Sequence, residues 1–219
     1  IDVEGEVSGL LPSAAWKMSQ YKQKWYAGDT ISVSIGQGYN LTTPLQLAFA
    51  TMLIANEGKA YRPHFVKQIQ DSLTGELEEI PAQLMYTLNL KPRHMEVVKQ
   101  ALVDVTKPGG TAAKAGANAA YTFAGKTGTS QVIGIKQGER YDEKRINERH
   151  RDHAMFIAYA PAENPQIALA VLVENTGTGG STAAPIARQV FDYYLLGKKP
   201  EATVAQLIDS YENHDHDHL

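Results

Sequence analysis

The chain has 219 residues, 43% of them hydrophobic, and a formal net charge of −3 from 21 basic and 24 acidic side chains. This balance excludes the overall basic character with which proteins bind nucleic acid. The chain contains no cysteine, which excludes disulfides, thiolate metal sites and catalysis by a thiol. Because the chain opens on Ile1 rather than Met, we expect a piece of a longer protein whose targeting segment lies upstream.

The first half of the chain carries one strongly signalled helix. Glycine and proline recur through residues 1–40, which we therefore expect to be loop-rich. Thr43, Pro44 and Gln46 then form a capping box with proline at the first helical position, which predicts a helix from Pro44. Apolar side chains surround this helix on nearly every side as far as Ile54. We therefore predict a helix buried in the core.

The second half of the chain mixes helical and strand periodicity. The predicted elements are a helix over 92–106, strands over 120–132, 154–160 and 166–174, and a final helix over 181–196. Residues 161–165 predict a hairpin loop. The apolar stripe expected on the final helix comprises Ile186, Val190, Tyr194 and Leu195. This order predicts an α+β fold, with the last helix packed on an antiparallel sheet.

The segment 133–153 interrupts this pattern with six basic and five acidic residues. A polar connection of this length is either functional or a solvated helical excursion, and the sequence leaves both readings open. We expect a folded unit over 1–197 and a flexible polar tail over 198–219.

The sharpest chemical pattern is Lys126-Thr127-Gly128-Thr129 within a predicted strand. A lysine supplies a point charge for a carboxylate, and two threonines supply hydroxyl donors. A glycine lets a ligand backbone lie against the strand, which favours binding of an extended peptide by strand addition. The Thr129 N–H could serve an oxyanion hole. The alternative reading is an exposed strand with a glycine bulge.

Five separated blocks, taken in order, give this pattern a context. They are 25–30 (WYAGDT), 35–39 (IGQGY) with the helix that begins at 43, 109–112 (GGTA), 126–132 (KTGTSQV) and 151–153 (RDH) followed by 156–161. Together they resemble the C-terminal half of the transpeptidase domain of class B penicillin-binding proteins, whose third active-site element is K-T-G. The Arg-Asp-His block and the charged segment before it resemble the elongation-type group, penicillin-binding protein 2.

The resemblance implies the penicillin-binding and serine β-lactamase-like fold, with the helix after Thr43 in part of an all-helical subdomain. It also implies a D,D-transpeptidase that cross-links peptidoglycan stem peptides through a serine acyl-enzyme and is trapped by β-lactams. Lys126, Thr127 and Gly128 would be the K-T-G element, and Thr127 and Thr129 would hold the terminal carboxylate. The Thr129 N–H would be an oxyanion donor, and Ser130 and Gln131 would continue the substrate-binding strand. The block containing Gln37 is expected to be architectural.

The family's nucleophile is expected upstream of Ile1. Ser19-Gln20-Tyr21-Lys22 matches Ser-x-x-Lys formally, but the surrounding segment is polar and basic, whereas a nucleophilic serine opens a buried apolar helix. Thr111-Ala112-Ala113-Lys114 is rejected likewise as a loop landmark. The chain alone is therefore expected to be inactive. A serine β-lactamase of the same fold, or a non-catalytic β-lactam or peptide sensor, are the alternatives.

Weaker patterns predict no cofactor and no metal site. Gly177-Thr178-Gly179-Gly180 lacks the lysine of a phosphate-binding loop. His150 and His153 are three residues apart, but surface histidines of this kind are more often structural than ligands. From the family we expect a periplasmic location at the inner membrane, an anchor outside this chain, and a membrane glycosyltransferase partner.

Overall fold

The computed structural model describes residues 2, 4–133, 146–176 and 179–199 of the chain. Within these ranges the helices are α1 (Ala14–Tyr21), α2 (Ala27–Ser34), α3 (Pro44–Ala55), α4 (Pro92–Asp104), α5 (Ala113–Gly116) and α6 (Ala183–Leu196). The strands are β1 (Lys59–Tyr61), β2 (Gln68–Gln70), β3 (Leu77–Glu79), β4 (Leu84–Thr87), β5 (Ala124–Ser130), β6 (His153–Ala160) and β7 (Ile167–Val173). None of the described helices is both long and apolar enough to cross a membrane.

The largest sheet is antiparallel, with strand order β5-β6-β7. Strands β6 and β7 lie within one residue of the predicted bounds, whereas β5 is shorter at both ends than the predicted strand over 120–132. Ala160 pairs with Ile167 across the predicted hairpin connection. The sheet and its helices confirm the predicted α+β class. Residues 134–145, which hold most of the charged segment, and the tail over 200–219 lie outside the described residues.

Helix α6 covers one face of this sheet. Its buried residues are Ala183, Ala184, Ala187 and Phe191, which pack with alternate residues of β6, namely Ala154, Phe156, Ala158 and Ala160. Alanines on both surfaces bring the helix close to the strand. The predicted stripe was wrong, because Ile186, Val190 and Tyr194 are exposed while only Leu195 packs against the core.

Helix α3 contacts β6 and β7, and a second cluster joins Ala55 to Tyr159, Ala124 and Ala162. The capping box is present, since the Gln46 N–H donates to Thr43 Oγ1 at 3.1 Å and the Thr43 N–H to Gln46 Oε1 at 3.0 Å. The prediction that this helix is buried on nearly every side needs correction. It packs on the sheet, and only Thr51 and Ala55 are fully buried.

The N-terminal region is more regular than its glycine content suggests, since it contains α1 and α2. Ser13 caps α1 by accepting the N–H of Trp16 at 3.1 Å. Asp29 caps the start of α2, because its side chain accepts the N–H of Tyr26 at 2.7 Å. Both helices have only eight residues, which is too short for periodicity to reveal them. Between α3 and α4, the chain forms two short antiparallel pairs, β1 with β4 and β2 with β3.

Candidate active site

Strand β5 lies at an edge of its sheet and carries the lysine, threonine and glycine singled out in the sequence. It pairs with β6 in continuous register from Ala124 opposite Tyr159 to Ser130 opposite His153. This unbroken register contradicts the alternative of a glycine bulge at Gly128. Among the described residues β5 pairs with no other strand, so one side of its backbone is available to an extended ligand.

The predicted site residues divide between the two faces of the sheet, because successive strand side chains point to opposite faces. Thr127 and Thr129 share one face, and the side chains of Lys126 and Ser130 lie on the other. A groove of about 640 Å³ contains Thr127, Gly128 and Thr129. Its lining residues are Gly110, Thr111, Ala113, Lys114, Thr127, Gly128, Thr129, Gly179, Gly180 and Ser181. The structure therefore brings three of the six predicted residues together in one groove.

Thr111, which lies in the GGTA block, also belongs to the site, although its sequence pattern does not single it out. Its Oγ1 lies 3.0 Å from Thr127 Oγ1, so the loop after α4 reaches the edge strand. The Ala112 N–H donates to the Val105 carbonyl at 2.9 Å and holds this loop against the end of α4. Because one of the two hydroxyls donates to the other, one O–H of the pair remains to donate to an anionic group.

Two glycines before α6 also line the groove. A Cβ on Gly179 would stand 2.7 Å from the Gly128 carbonyl oxygen and closer still to that of Met155. A Cβ on Gly180 would lie 3.4 Å from Thr127 Cγ2 and would clash with the Thr111 carbonyl oxygen. These glycines let the chain cross the strands in close contact. Their role here is packing. Gly177 and Thr178, the other two residues of the glycine-rich pattern, lie outside the described residues.

The outward side of β5 has two carbonyls that accept side-chain donors. Lys126 Nζ donates to the Thr127 carbonyl at 2.7 Å, and Gln37 Nε2 donates to the Thr129 carbonyl at 3.1 Å. In an antiparallel strand the N–H and C=O of one residue point to the same side. The Thr129 N–H therefore shares the outward side, the orientation that an oxyanion donor requires.

The predicted substrate strand ends earlier than expected. Ser130 is the last residue of β5, and Gln131 follows it as an exposed residue outside the groove lining. The Val132 N–H donates to Asp152 Oδ1 at 3.3 Å, and Asp152 is buried. The Arg-Asp-His block thus holds the chain beyond β5 beside the start of β6. The structure does not bring the Ser130 and Gln131 side chains to the groove.

An ion pair supports the helix that leads to Gln37. Lys17 is only 3% exposed, and its Nζ lies 2.5 Å from Asp29 Oδ2 and 4.8 Å from the centre of the Tyr26 ring. The hydrogen bond from Lys17, aided by that from the Tyr26 N–H, lowers the pKa of Asp29 below its ordinary value. The ionised carboxylate therefore joins α1 to the first turn of α2.

The remaining candidates do not form sites among the described residues. Ser19 Oγ donates to the Trp16 carbonyl at 2.8 Å, and Lys22 Nζ donates to the carbonyl of Ser19 at 3.1 Å, so this pair lacks the arrangement of a nucleophile and its base. His153 Nδ1 accepts the Asn175 N–H at 3.0 Å. The described part of the chain has no group of three His, Cys, Asp or Glu residues placed to hold a metal ion.

The sequence matches a family model described as the penicillin binding protein transpeptidase domain over residues 1–192. Peptidoglycan D,D-transpeptidase MrdA of Haemophilus influenzae is 42% identical over 204 residues, which cover 92% of this chain and 31% of the relative. The chain therefore spans about a third of the length of this curated relative.

Solved structures agree with this match. The crystal structure of Pseudomonas aeruginosa PBP2 in complex with WCK 5153 superimposes with a TM-score of 0.72 at 39% identity, covering 92% of this chain and 42% of that one. The imipenem acyl-enzyme complex of penicillin-binding protein A from M. tuberculosis gives a TM-score of 0.59 at 30% identity, covering 75% and 33%. Both superpositions extend over most of this chain.

Proposed function

The chain belongs to the penicillin-binding protein transpeptidase family, and on that premise we propose that it forms the substrate-binding wall of a peptidoglycan D,D-transpeptidase. The observation that carries this proposal is the groove along β5. It combines the Thr127 and Thr129 side chains with a strand edge whose outward N–H and C=O groups can pair with a peptide. A stem peptide would lie along this edge, with its terminal carboxylate at the threonine hydroxyls.

The chemistry is acyl transfer through a serine. The serine oxygen attacks the carbonyl of the penultimate D-alanine, the terminal D-alanine leaves with a proton, and an acceptor amine then takes the acyl group. The Thr129 N–H would stabilise the oxyanion in both steps. A β-lactam would be held in the same way, and its ring amide would open to leave a stable ester on the serine. We assign the serine and its lysine base to a part of the full-length protein outside these 219 residues.

Cellular context follows from the same premise. We propose that the full-length protein works at the periplasmic face of the inner membrane through an anchor outside this chain, with a membrane glycosyltransferase that supplies glycan strands. The stem peptide and β-lactams are its proposed ligands. We propose that Ser130, the last residue of β5, and Gln131, which follows it, support the substrate-binding strand without side-chain contacts in the groove.

The test is to expose the full-length protein to a labelled penicillin and to map the adduct by intact mass and peptide analysis. A stable adduct on a serine outside this chain is expected, and Lys126→Ala should reduce the amount of adduct that forms. Lys67→Ala, at another exposed lysine, is the matched control and should label normally. An adduct on Ser19 would overturn the assignment of the nucleophile. Rapid hydrolysis of the adduct would indicate a β-lactamase, and reversible binding without an adduct would indicate a sensor.

A further inference from the structure

The hydrogen bond between Gln37 and Thr129 joins residues that are 92 positions apart in the chain. Gln37 lies in the turn after α2 and is half-buried. Its side chain reaches the last part of β5, where the outward carbonyl of Thr129 accepts the Nε2 donor at 3.1 Å. This contact joins the N-terminal region to the edge of the strand that would receive the peptide.

The turn that carries Gln37 is held by several backbone contacts. The Gln37 N–H donates to the Ser32 carbonyl at 2.9 Å, and Asn40 Nδ2 donates to the Gln37 carbonyl at 3.2 Å. Gly36 and Gly38 have φ values of 77° and 73°, which glycine adopts without strain. The backbone from which the Gln37 side chain extends is therefore fixed at both its N–H and its C=O.

We infer that Gln37 is a positioning residue that holds the Thr129–Ser130 peptide group in the orientation needed for the outward edge of β5 to receive its ligand. The inference rests on the proposed function, because it assigns the Thr129 edge to an acyl-transfer site. A carbonyl oxygen has two lone pairs, so the bond from Gln37 leaves one for an N–H of an extended ligand. Holding this carbonyl also limits rotation of the adjoining strand, which carries the Thr129 N–H.

The first test is the acylation rate of the full-length protein with a labelled penicillin. Gln37→Met keeps the length of the side chain and removes its donor, and it is expected to slow acylation about tenfold. Gln37→Glu places an acceptor against the carbonyl and should slow acylation further. Gln23→Met, at an exposed glutamine before α2, is the matched control and should react as the wild type does. Equal or faster acylation of Gln37→Met would overturn the inference, and faster acylation would indicate that Gln37 blocks the edge.

The second test does not depend on activity. Amide hydrogen exchange of Ser130, whose N–H belongs to the peptide group held by Gln37, should be faster in Gln37→Met than in the wild type, with an unchanged melting temperature. Unchanged exchange would overturn the inference even if acylation were slower. If the wild-type protein forms no adduct, the proposed function fails, while the exchange measurement still decides whether Gln37 holds the strand.

Discussion

The hydroxyl oxygens of Thr111 and Thr127 lie 3.0 Å apart and join the loop after α4 to the edge strand β5. Either hydroxyl can donate to the other, so one donor of the pair is available to the groove. The position of the Thr127 hydroxyl therefore depends on a loop that precedes it by 16 residues.

Removing the Thr127 hydroxyl should impair the proposed reaction with little change in folding. Thr127→Val keeps the side-chain shape and removes a hydrogen bond to a carboxylate, which is worth about 1.5–3 kcal/mol. We expect acylation of the full-length protein to fall by roughly 10- to 100-fold, and Thr111→Val should have a smaller effect. Stopped-flow labelling with a fluorescent penicillin measures both. Thr87→Val, an exposed threonine of β4, is the control, and a normal rate for Thr127→Val would remove Thr127 from the carboxylate site.

Adding a methyl group at Gly179 should destabilise the protein. The new Cβ would meet the carbonyl oxygens of Gly128 and Met155, and overpacking of this kind costs about 1–3 kcal/mol. Thermal unfolding of Gly179→Ala checks this, beside Gly28→Ala in α2, where nothing lies within 4 Å of the added atom. Gly28→Ala should be neutral or stabilising. Equal melting temperatures for the two variants would contradict the close approach of this turn to the strands.

A charged network should make Arg188 one of the more costly positions on α6. Its Nε donates to Asp192 Oδ1 at 2.9 Å, and its terminal nitrogens donate to the carbonyls of Ala115, Ala117 and Asn118. Arg188→Met should cost about 2–3 kcal/mol of unfolding free energy, since these donors are charged. Urea denaturation measures the loss, and Arg93→Met, at an exposed arginine of α4, is the control. Equal stability of the two variants would show that the network contributes nothing.

The same network predicts a smaller effect at Tyr121. Its hydroxyl donates to Asp192 Oδ1 at 2.7 Å, and burial together with this carboxylate raises the pKa of Tyr121. Tyr121→Phe should cost about 1 kcal/mol, the usual net value of one hydrogen bond. A loss larger than that of Arg188→Met in the same urea experiment would reverse the order predicted from the number of bonds.

The ion pair at Asp29 should make stability depend on pH. The pKa of this carboxyl in the folded protein lies below its ordinary value of 3.8 because of the Lys17 and Tyr26 hydrogen bonds. Its contribution is therefore fully present above pH 3.8 and is lost as the pH falls through the lowered folded-state pKa. Asp29→Asn should unfold at lower urea concentration than the wild type at pH 7, and the difference should shrink in acid. A difference that is constant down to pH 2 would refute the linkage.

Local patterns in the sequence predicted the bounds of several helices and strands to within a few residues. The Thr43 capping box located the start of α3, and the continuous apolar run after His153 located β6. The buried face of α6 could not be read from side-chain size, because alanines pack closest to the sheet while Ile186 and Val190 remain exposed. A prediction based on large apolar residues selects the wrong stripe in such a case.

Only the part of the candidate site that is continuous in sequence was predicted. The residues of β5 are adjacent in sequence, so their chemistry was visible at once. Thr111 and Gln37 contact that strand from distant positions in the chain. No local sequence pattern indicates which distant residues will be in contact after folding. The resemblance placed both of them in named blocks, but it did not predict their contacts with Thr127 and Thr129.

The contacts around β5 also have a consequence for the order of folding. Thr111 and Gln37 close loops of 16 and 92 residues onto β5, and Asp152 closes a loop of 20 residues onto Val132 just beyond it. The entropy lost on loop closure rises with loop length, and folds dominated by distant pairings form slowly. The Gln37 contact is therefore expected to form after the shorter loops, so newly folded molecules would acquire the hairpin of β5 and β6 before the outer edge of β5 reaches its final geometry.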